Sequence, residues 1–316
     1  MDLTGIGGIW PATLTPFDRD GGIDDAALRA HLHALAGTPG VRALVVNGHA
    51  GEATSLDRDE RRHVVRVARE TADDHVGVVA GVVADDTRTA RALARDAAEA
   101  GADALLLFPP MLFAGGAAAR PEMALGFVDA VAQAAAGLPI VLFQLSRASG
   151  LGYPPDLLAR LCREVEAIIA VKEGSDVPEI YETNLRALRN CGRPITVLTT
   201  NNTWLFASLA YGADGILSGI GSVASTILVE MFEATLRGDL AAARSANDRL
   251  LPLTRVFYRH PHLDMHNRMK TALHLMGHLP NPAPRPPLLP LTAGERAEIR
   301  VALIAAGLMH GADPAA

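Results

Sequence analysis

Lysine is nearly missing from this chain. Its 316 residues include 29 basic side chains, of which 27 are arginine and only two, Lys172 and Lys270, are lysine. Cysteine is as scarce: Cys162 lies inside a helical pattern and Cys191 near a turn, too few and too scattered for a disulfide framework or a zinc site. A reducing cytoplasm fits that usage. No stretch reaches the roughly 18 uninterrupted apolar residues of a spanning helix, and the opening MDLTGIGGIWPATLTPF lacks a basic segment followed by an apolar one. A soluble, unexported protein is therefore expected. The formal charge of −6, with both signs interspersed, offers no basic stripe to nucleic acid or to an anionic membrane. What is present is a 49% hydrophobic chain long enough for one large domain or two small ones.

Short branched apolar runs alternate with longer Ala/Leu/Arg segments of helical spacing. The runs predict strands at Ile9–Thr13, Ala43–Asn47, Val76–Val83, Ala104–Phe108, Ile140–Gln144, Ile168–Lys172, Thr196–Thr199 and Gly215–Ser218. Helices are expected near Asp24–Leu35, Asp57–Ala72, Asp86–Ala100, Pro121–Ala135, Pro155–Val165, Val177–Leu188, Thr203–Tyr211 and Ser225–Leu236. Asp57 with Glu60 makes a capping box, and Gly-Ala-Asp, at 101–103 and again at 212–214, reads as a helix stop before a strand. Eight such units suit a (β/α)8 TIM barrel. The rival, a doubly wound sheet, would place a glycine-rich phosphate loop after the first strand, where this chain has Thr13-Leu-Thr-Pro-Phe17. Beyond residue 238 only helices follow (239–259, 263–277, 293–308), broken by the proline-rich Leu279–Pro290. The expected division is a catalytic barrel over 1–238 and a helical extension over 239–316, packed on the barrel or on a neighbouring subunit.

Barrel chemistry sits at the C-terminal ends of the strands, and Lys172 ends the sixth. Alternation puts Ile168, Ala170 and Lys172 on one face; if that face is inward, the amine enters an apolar mouth where lost hydration disfavours the ammonium. A neutral amine can condense with a carbonyl to give a Schiff base, an electron sink for the neighbouring carbon–carbon bond. The plainer alternative is a lysine snorkelling to water or paired with a carboxylate. The scarcity of lysine favours the first, because arginine serves elsewhere as the cation and only lysine forms the imine. Lys270 reads as structural, and Glu173, on the opposite face, likewise.

These residues resemble the dihydrodipicolinate synthase/N-acetylneuraminate lyase family of class I aldolases, in one register over nearly the whole chain. The markers are Pro11-Ala-Thr-Leu-Thr-Pro-Phe17 with Asp20-Gly-Gly-Ile-Asp24, Gly48-His-Ala-Gly-Glu52 with Leu56-Asp-Arg-Asp-Glu-Arg61, Val171-Lys-Glu173, and Gly212-Ala-Asp-Gly215. The resemblance implies a tetramer- or dimer-forming barrel with C-terminal helices and an imine between Lys172 and a 2-oxo acid such as pyruvate, with no other cofactor. It also implies a carboxylate pocket at Gly48, Ala50 and Gly51. Phe143, Gln144, Arg147, Leu217 and Ser218 are the further substrate-binding candidates.

Several positions depart from the family pattern. The loop after strand two carries His49 and Ala50 where two hydroxyl residues are usual; Phe143 stands for the catalytic tyrosine, Met111 for the tyrosine lent across a subunit interface, and Ala148, beside Arg147, for the substrate-binding arginine. Phenylalanine cannot move a proton, so His49, whose imidazole ordinarily titrates near neutrality, is the expected catalytic replacement. The expectation is a lyase or aldolase other than the lysine-biosynthetic synthase. A 2-oxo sugar acid dehydratase and a 2-oxo acid binder without turnover are the alternatives. His260, His262, His266, His274 and His278 cluster in the tail; they read as a solvated helix face or a subunit contact rather than a metal site, despite the i, i+4 spacing of His274 and His278.

Overall fold

Each of the eight apolar runs forms a strand, and all run parallel. In the computed structural model, which describes residues 1–310, these are β1 (Gly8–Pro11), β2 (Ala43–Val46), β3 (Gly77–Val82), β4 (Ala104–Leu107), β5 (Ile140–Gln144), β6 (Ile168–Glu173), β7 (Thr196–Thr199) and β8 (Gly215–Ser218). Hydrogen bonds join them in the order β1-β8-β7-β6-β5-β4-β3-β2. The two ends of that row meet through bridges Ile9–Val41 and Ala12–Val45, and the Thr13 N–H donates to the Val45 carbonyl at 2.9 Å. The result is a (β/α)8 barrel. Every strand residue is buried, as expected of strands covered by side chains within and helices without.

The outer helices are α1 (Asp25–Ala36), α2 (Arg58–Thr71), α3 (Thr87–Glu99), α4 (Pro121–Ala134), α5 (Pro155–Glu164), α6 (Pro178–Arg189), α7 (Leu205–Ala210) and α8 (Gly221–Leu236). Their starts follow local chemistry. Asp24, Asp57 and Asp86 each accept a first-turn N–H, and Asp57 with Glu60 closes the expected capping box. Helix α8 begins four residues before the expected Ser225 because Ala224 leaves helical geometry (φ −133°, ψ 40°) and kinks the element. The Gly-Ala-Asp repeats do more than stop helices. Gly101 and Gly212 take positive φ, and the following Asp103 and Asp214 carboxylates then accept the N–H groups of Val78 and Val197 at 2.8 and 2.7 Å, so each motif also anchors the start of the adjacent strand.

After α8, helices α9 (Leu240–Phe257), α10 (Met265–Leu275) and α11 (Ala293–Ala305) pack on one another, with α9 against α8. The proline-rich segment after α10 folds over the C-terminal end of the barrel. Asn281 donates to the Phe17 carbonyl at 2.9 Å, and Arg285 grips the Glu60 carboxylate at 2.5 and 2.7 Å while its guanidinium lies 4.3 Å from the Phe17 ring. Helix α10 thereby stands beside the loops following β1 and β2, over the barrel mouth.

Candidate active site

Lys172 sits one residue before the end of β6, in register with Phe143 of β5 and Leu198 of β7. It is 6% exposed, and among the described residues no carboxylate pairs with it. Its Nζ lies 4.1 Å from the centre of the Phe143 ring, within cation–π range. Burial lowers its ammonium pKa to about 7, so near neutral pH a large fraction is free amine.

Facing it across the mouth is the turn from Gly48 to Glu52. Asn47 and Glu52 both adopt positive φ, and the Glu52 and Ala53 N–H groups close the turn onto the carbonyls of His49 and Gly48. Among the described residues, the N–H groups of Gly48, His49, Ala50 and Gly51 donate to no backbone carbonyl. Thr15 Oγ1 steadies the turn by donating to the Gly51 carbonyl at 2.8 Å. Four unspent N–H groups on one glycine-flanked turn form a concavity suited to an anion.

His49 projects from this turn against two aromatic rings, 4.8 Å from Phe108 and 5.9 Å from Phe143, which are themselves 5.0 Å apart edge to face. The Phe143 ring therefore adjoins both His49 and the Lys172 amine. The imidazole surface faces the opening, yet the surrounding protein, followed by the Lys172, His266 and His262 charges, holds its pKa below the usual range. Both influences favour the neutral ring over the imidazolium.

Three other candidates lie away from the amine or free of protein partners. Gln144 follows inward-facing Phe143 by one residue and so points out of the barrel, where its amide both donates to the Tyr153 carbonyl and accepts the Tyr153 N–H at 3.0 Å. It fastens the loop after β5. Ser218 follows Leu217 in the same way; its hydroxyl is bound to Asn202 and lies 3.1 Å from the Tyr258 hydroxyl. Arg147 is exposed on the turn after β5, where its carbonyl accepts the Gly150 N–H at 2.9 Å and its guanidinium has no hydrogen bond or ion pair among the described residues. Leu217, fully buried, aligns with Trp10 on the inward face. Glu173 turns outward as expected, accepting hydrogen bonds from Asn184 and Asn201 at 2.9 Å; burial raises its pKa against those bonds. Met111 is 61% exposed, outside the mouth.

The unforeseen part of the site comes from α10. Lys270 is indeed structural: it is fully buried, its ammonium donates to Glu52 Oε1 and to the Ala283 carbonyl, and it lies 4.2 Å from the Phe17 ring. His266, one turn earlier, is not on a solvated face. Its Nε2 stands 3.9 Å from Glu52 Oε2, and burial lowers its pKa more than Glu52 raises it. The i, i+4 spacing of His266 and the chain's second lysine was the available signal. His274 and His278, by contrast, are exposed.

Comparison with known proteins agrees with this architecture. The model of the dihydrodipicolinate synthetase family matches residues 5–306. A 4-hydroxy-tetrahydrodipicolinate synthase of Methanothrix thermoacetophila is 34% identical over 299 residues, covering 93% of this chain and 94% of the relative. One from Mesorhizobium japonicum is 32% identical, covering 95% and 98%. Among solved structures, a prophage protein of the dihydrodipicolinic acid synthase family from E. coli K12, in complex with pyruvate, is 26% identical. It superposes with a TM-score of 0.86 over 96% of this chain and 99% of its own. A monomeric dihydrodipicolinate synthase variant, 24% identical, shares the fold with a TM-score of 0.89 over 98% of this chain and 100% of its own.

Proposed function

This chain belongs to the dihydrodipicolinate synthetase family, a family of class I aldolase-type lyases, and from that premise we propose that it makes or breaks a carbon–carbon bond in pyruvate or a related 2-oxo acid through an imine on Lys172. The observation that carries the reading is the depressed, unpaired Lys172 amine opposite a turn of unspent N–H groups. The substrate carboxylate would rest on the N–H groups of the Gly48–Gly51 turn, which directs the 2-carbonyl towards Lys172. The amine adds to that carbon; a proton passes from nitrogen to oxygen, and the hydroxyl then leaves as water when a further proton reaches it. The cationic imine withdraws electrons from the adjacent bond, which forms or breaks with an enamine on the enzyme side. The division into a catalytic barrel over 1–238 and a helical extension over 239–316 belongs to the same reading, as do a homo-oligomer and a cytoplasmic location, the latter in keeping with two free, buried cysteines.

Phe143 is why we place the reaction outside lysine biosynthesis. At the position of the family's catalytic tyrosine it presents a ring face to the amine and no hydroxyl to the substrate. Intact mass after incubation with pyruvate and borohydride should show a pyruvyl adduct on the wild type and none on Lys172→Ala. Absence of an adduct with pyruvate, 2-oxobutyrate and 2-oxoglutarate alike would refute the imine. Rescue of a lysine auxotroph would refute the exclusion.

A further inference from the structure

The turn that would hold the substrate carboxylate ends on a residue ill suited to its backbone. Asn47 before it and Glu52 at its close both lie at positive φ, 55° and 53°. Asparagine visits that region readily, whereas glutamate gains nothing there, so the Glu52 conformation has to be held from outside the turn. The holder is α10. Lys270 Nζ donates to Glu52 Oε1 and, at 3.1 Å, to the Ala283 carbonyl, and both side chains of the ion pair are buried. Among the described residues Glu52 Oε2 has no donor, and His266 Nε2, at 3.9 Å, is too far to be one, so Lys270 is the carboxylate's one hydrogen-bonding partner.

A second contact joins the same helix to the same turn. Met269 is fully buried, and its thioether and the Ala50 methyl meet over Gly219, where an added Cβ would stand 3.2 Å from Met269 Sδ and 3.3 Å from Ala50 Cβ. Two backbone bonds close the turn, from the Glu52 N–H to the His49 carbonyl at 3.1 Å and from the Ala53 N–H to the Gly48 carbonyl at 3.2 Å, and the first is made by the residue that Lys270 holds. We propose that α10, through Lys270, positions the Gly48–Gly51 turn, so that the C-terminal extension sets the affinity of the site for the carboxylate of a 2-oxo acid. The proposal rests on the imine reading and adds to it what fixes the substrate's anionic end.

Two effects act in the same direction. Four N–H groups hold an anion well only while they converge on it, and a displacement of about 1 Å caused far from the chemistry can cost about 100-fold. Glu52 also closes a turn that must accept a negative charge; its buried carboxylate would repel that charge, and the Lys270 ammonium offsets it at the source. The proline-rich segment completes the brace, since Ala283 takes the second Lys270 bond while Arg285 donates to the Ser55 carbonyl at 2.7 Å, three residues past Glu52. Lys270 acts on the substrate only through Glu52 and the turn. It is accordingly a positioning residue, and Lys172 remains the nucleophile.

The test is the initial rate of borohydride trapping with pyruvate and with its uncharged amide, pyruvamide. Lys270→Met should raise the pyruvate concentration that gives half the maximal rate about tenfold, with the change falling there rather than on the saturating rate, and should slow pyruvamide by no more than about twofold. The pH midpoint of trapping should stay at its wild-type position, because Lys172 is untouched. Equal losses with pyruvate and pyruvamide, or wild-type half-saturation in the folded variant, would overturn the proposal while leaving the imine intact, whereas no adduct on the wild type with any of the three oxo acids would remove both. If Lys270→Met does not fold, Gly219→Ala decides: its methyl group levers Met269 away from Ala50 with both lysines in place. It should raise half-saturation by pyruvate about threefold and spare pyruvamide, and an equal effect on the two, or none on either, overturns the proposal.

Discussion

The two lysines of this chain are both buried and both lie against a phenylalanine ring, Lys172 at 4.1 Å from Phe143 and Lys270 at 4.2 Å from Phe17. They differ in the counter-charge. Glu52 binds the Lys270 ammonium and opposes, without cancelling, the lowering that burial imposes on it, and the pair ties α10 to the barrel. Lys172 has burial without a carboxylate among the described residues, and burial alone moves it toward the free amine. A desolvated lysine is thus a nucleophile or a fastener according to what stands beside it.

The largest effects should come from exchanging those conditions. Lys172→Arg keeps a cation at the site, but it should abolish the trapped adduct as completely as Lys172→Ala, since guanidinium forms no imine under these conditions. A residual adduct located on Lys270 by peptide mapping would break the distinction. Lys270→Met should leave Glu52 buried and uncompensated and cost about 3–5 kcal/mol of stability in denaturant unfolding. Combining Lys270→Met with Glu52→Gln should recover part of that loss; equal losses in the single and double variants would show that the ion pair is not what Lys270 contributes.

A smaller effect follows from pH. The folded Lys172 pKa, about 7, lies below its ordinary 10.5, so between these values the unfolded chain holds a proton that the native chain does not. Stability attributable to this group therefore rises with pH across that window and is lowest below pH 7, the reverse of the pattern for a lysine stabilised by a partner. Lys172→Met should flatten the rise in unfolding free energy between pH 7 and the onset of alkaline denaturation. The wild-type trapping rate should climb about tenfold per unit below pH 7 and level off above it, as the amine becomes neutral.

The strand–helix alternation and Lys172 were readable from the sequence because both depend on local pattern: apolar runs, caps, and a lysine at a strand end. Two features were not legible. Gln144 and Ser218 were substrate-binding candidates, and the two-residue alternation that places Phe143 and Leu217 inward sends these neighbours out. The burial of His266 depends on how an extension more than 200 residues from Glu52 folds back over the mouth, which no local period records. The idle N–H groups of the Gly48–Gly51 turn were foreseen only in outline, because whether a turn spends its donors is decided by the loops around it.

The smallest predicted effect concerns the one contact the two lysines share. If the Phe143 ring stabilises the cation, it favours the ammonium and equally the cationic imine, partly opposing the burial that depresses Lys172. Phe143→Leu keeps the site apolar and removes the ring face. A loss of about 0.5–2 kcal/mol for the cation would move the Lys172 midpoint further below 7, by about half a unit to one and a half units. The pH profile of borohydride trapping reads this directly: its rising limb should shift to lower pH while the plateau falls, because the imine loses the same contact. A lower plateau with an unmoved limb would mean that the ring only shapes the pocket, and that the absence of a carboxylate alone separates Lys172 from Lys270.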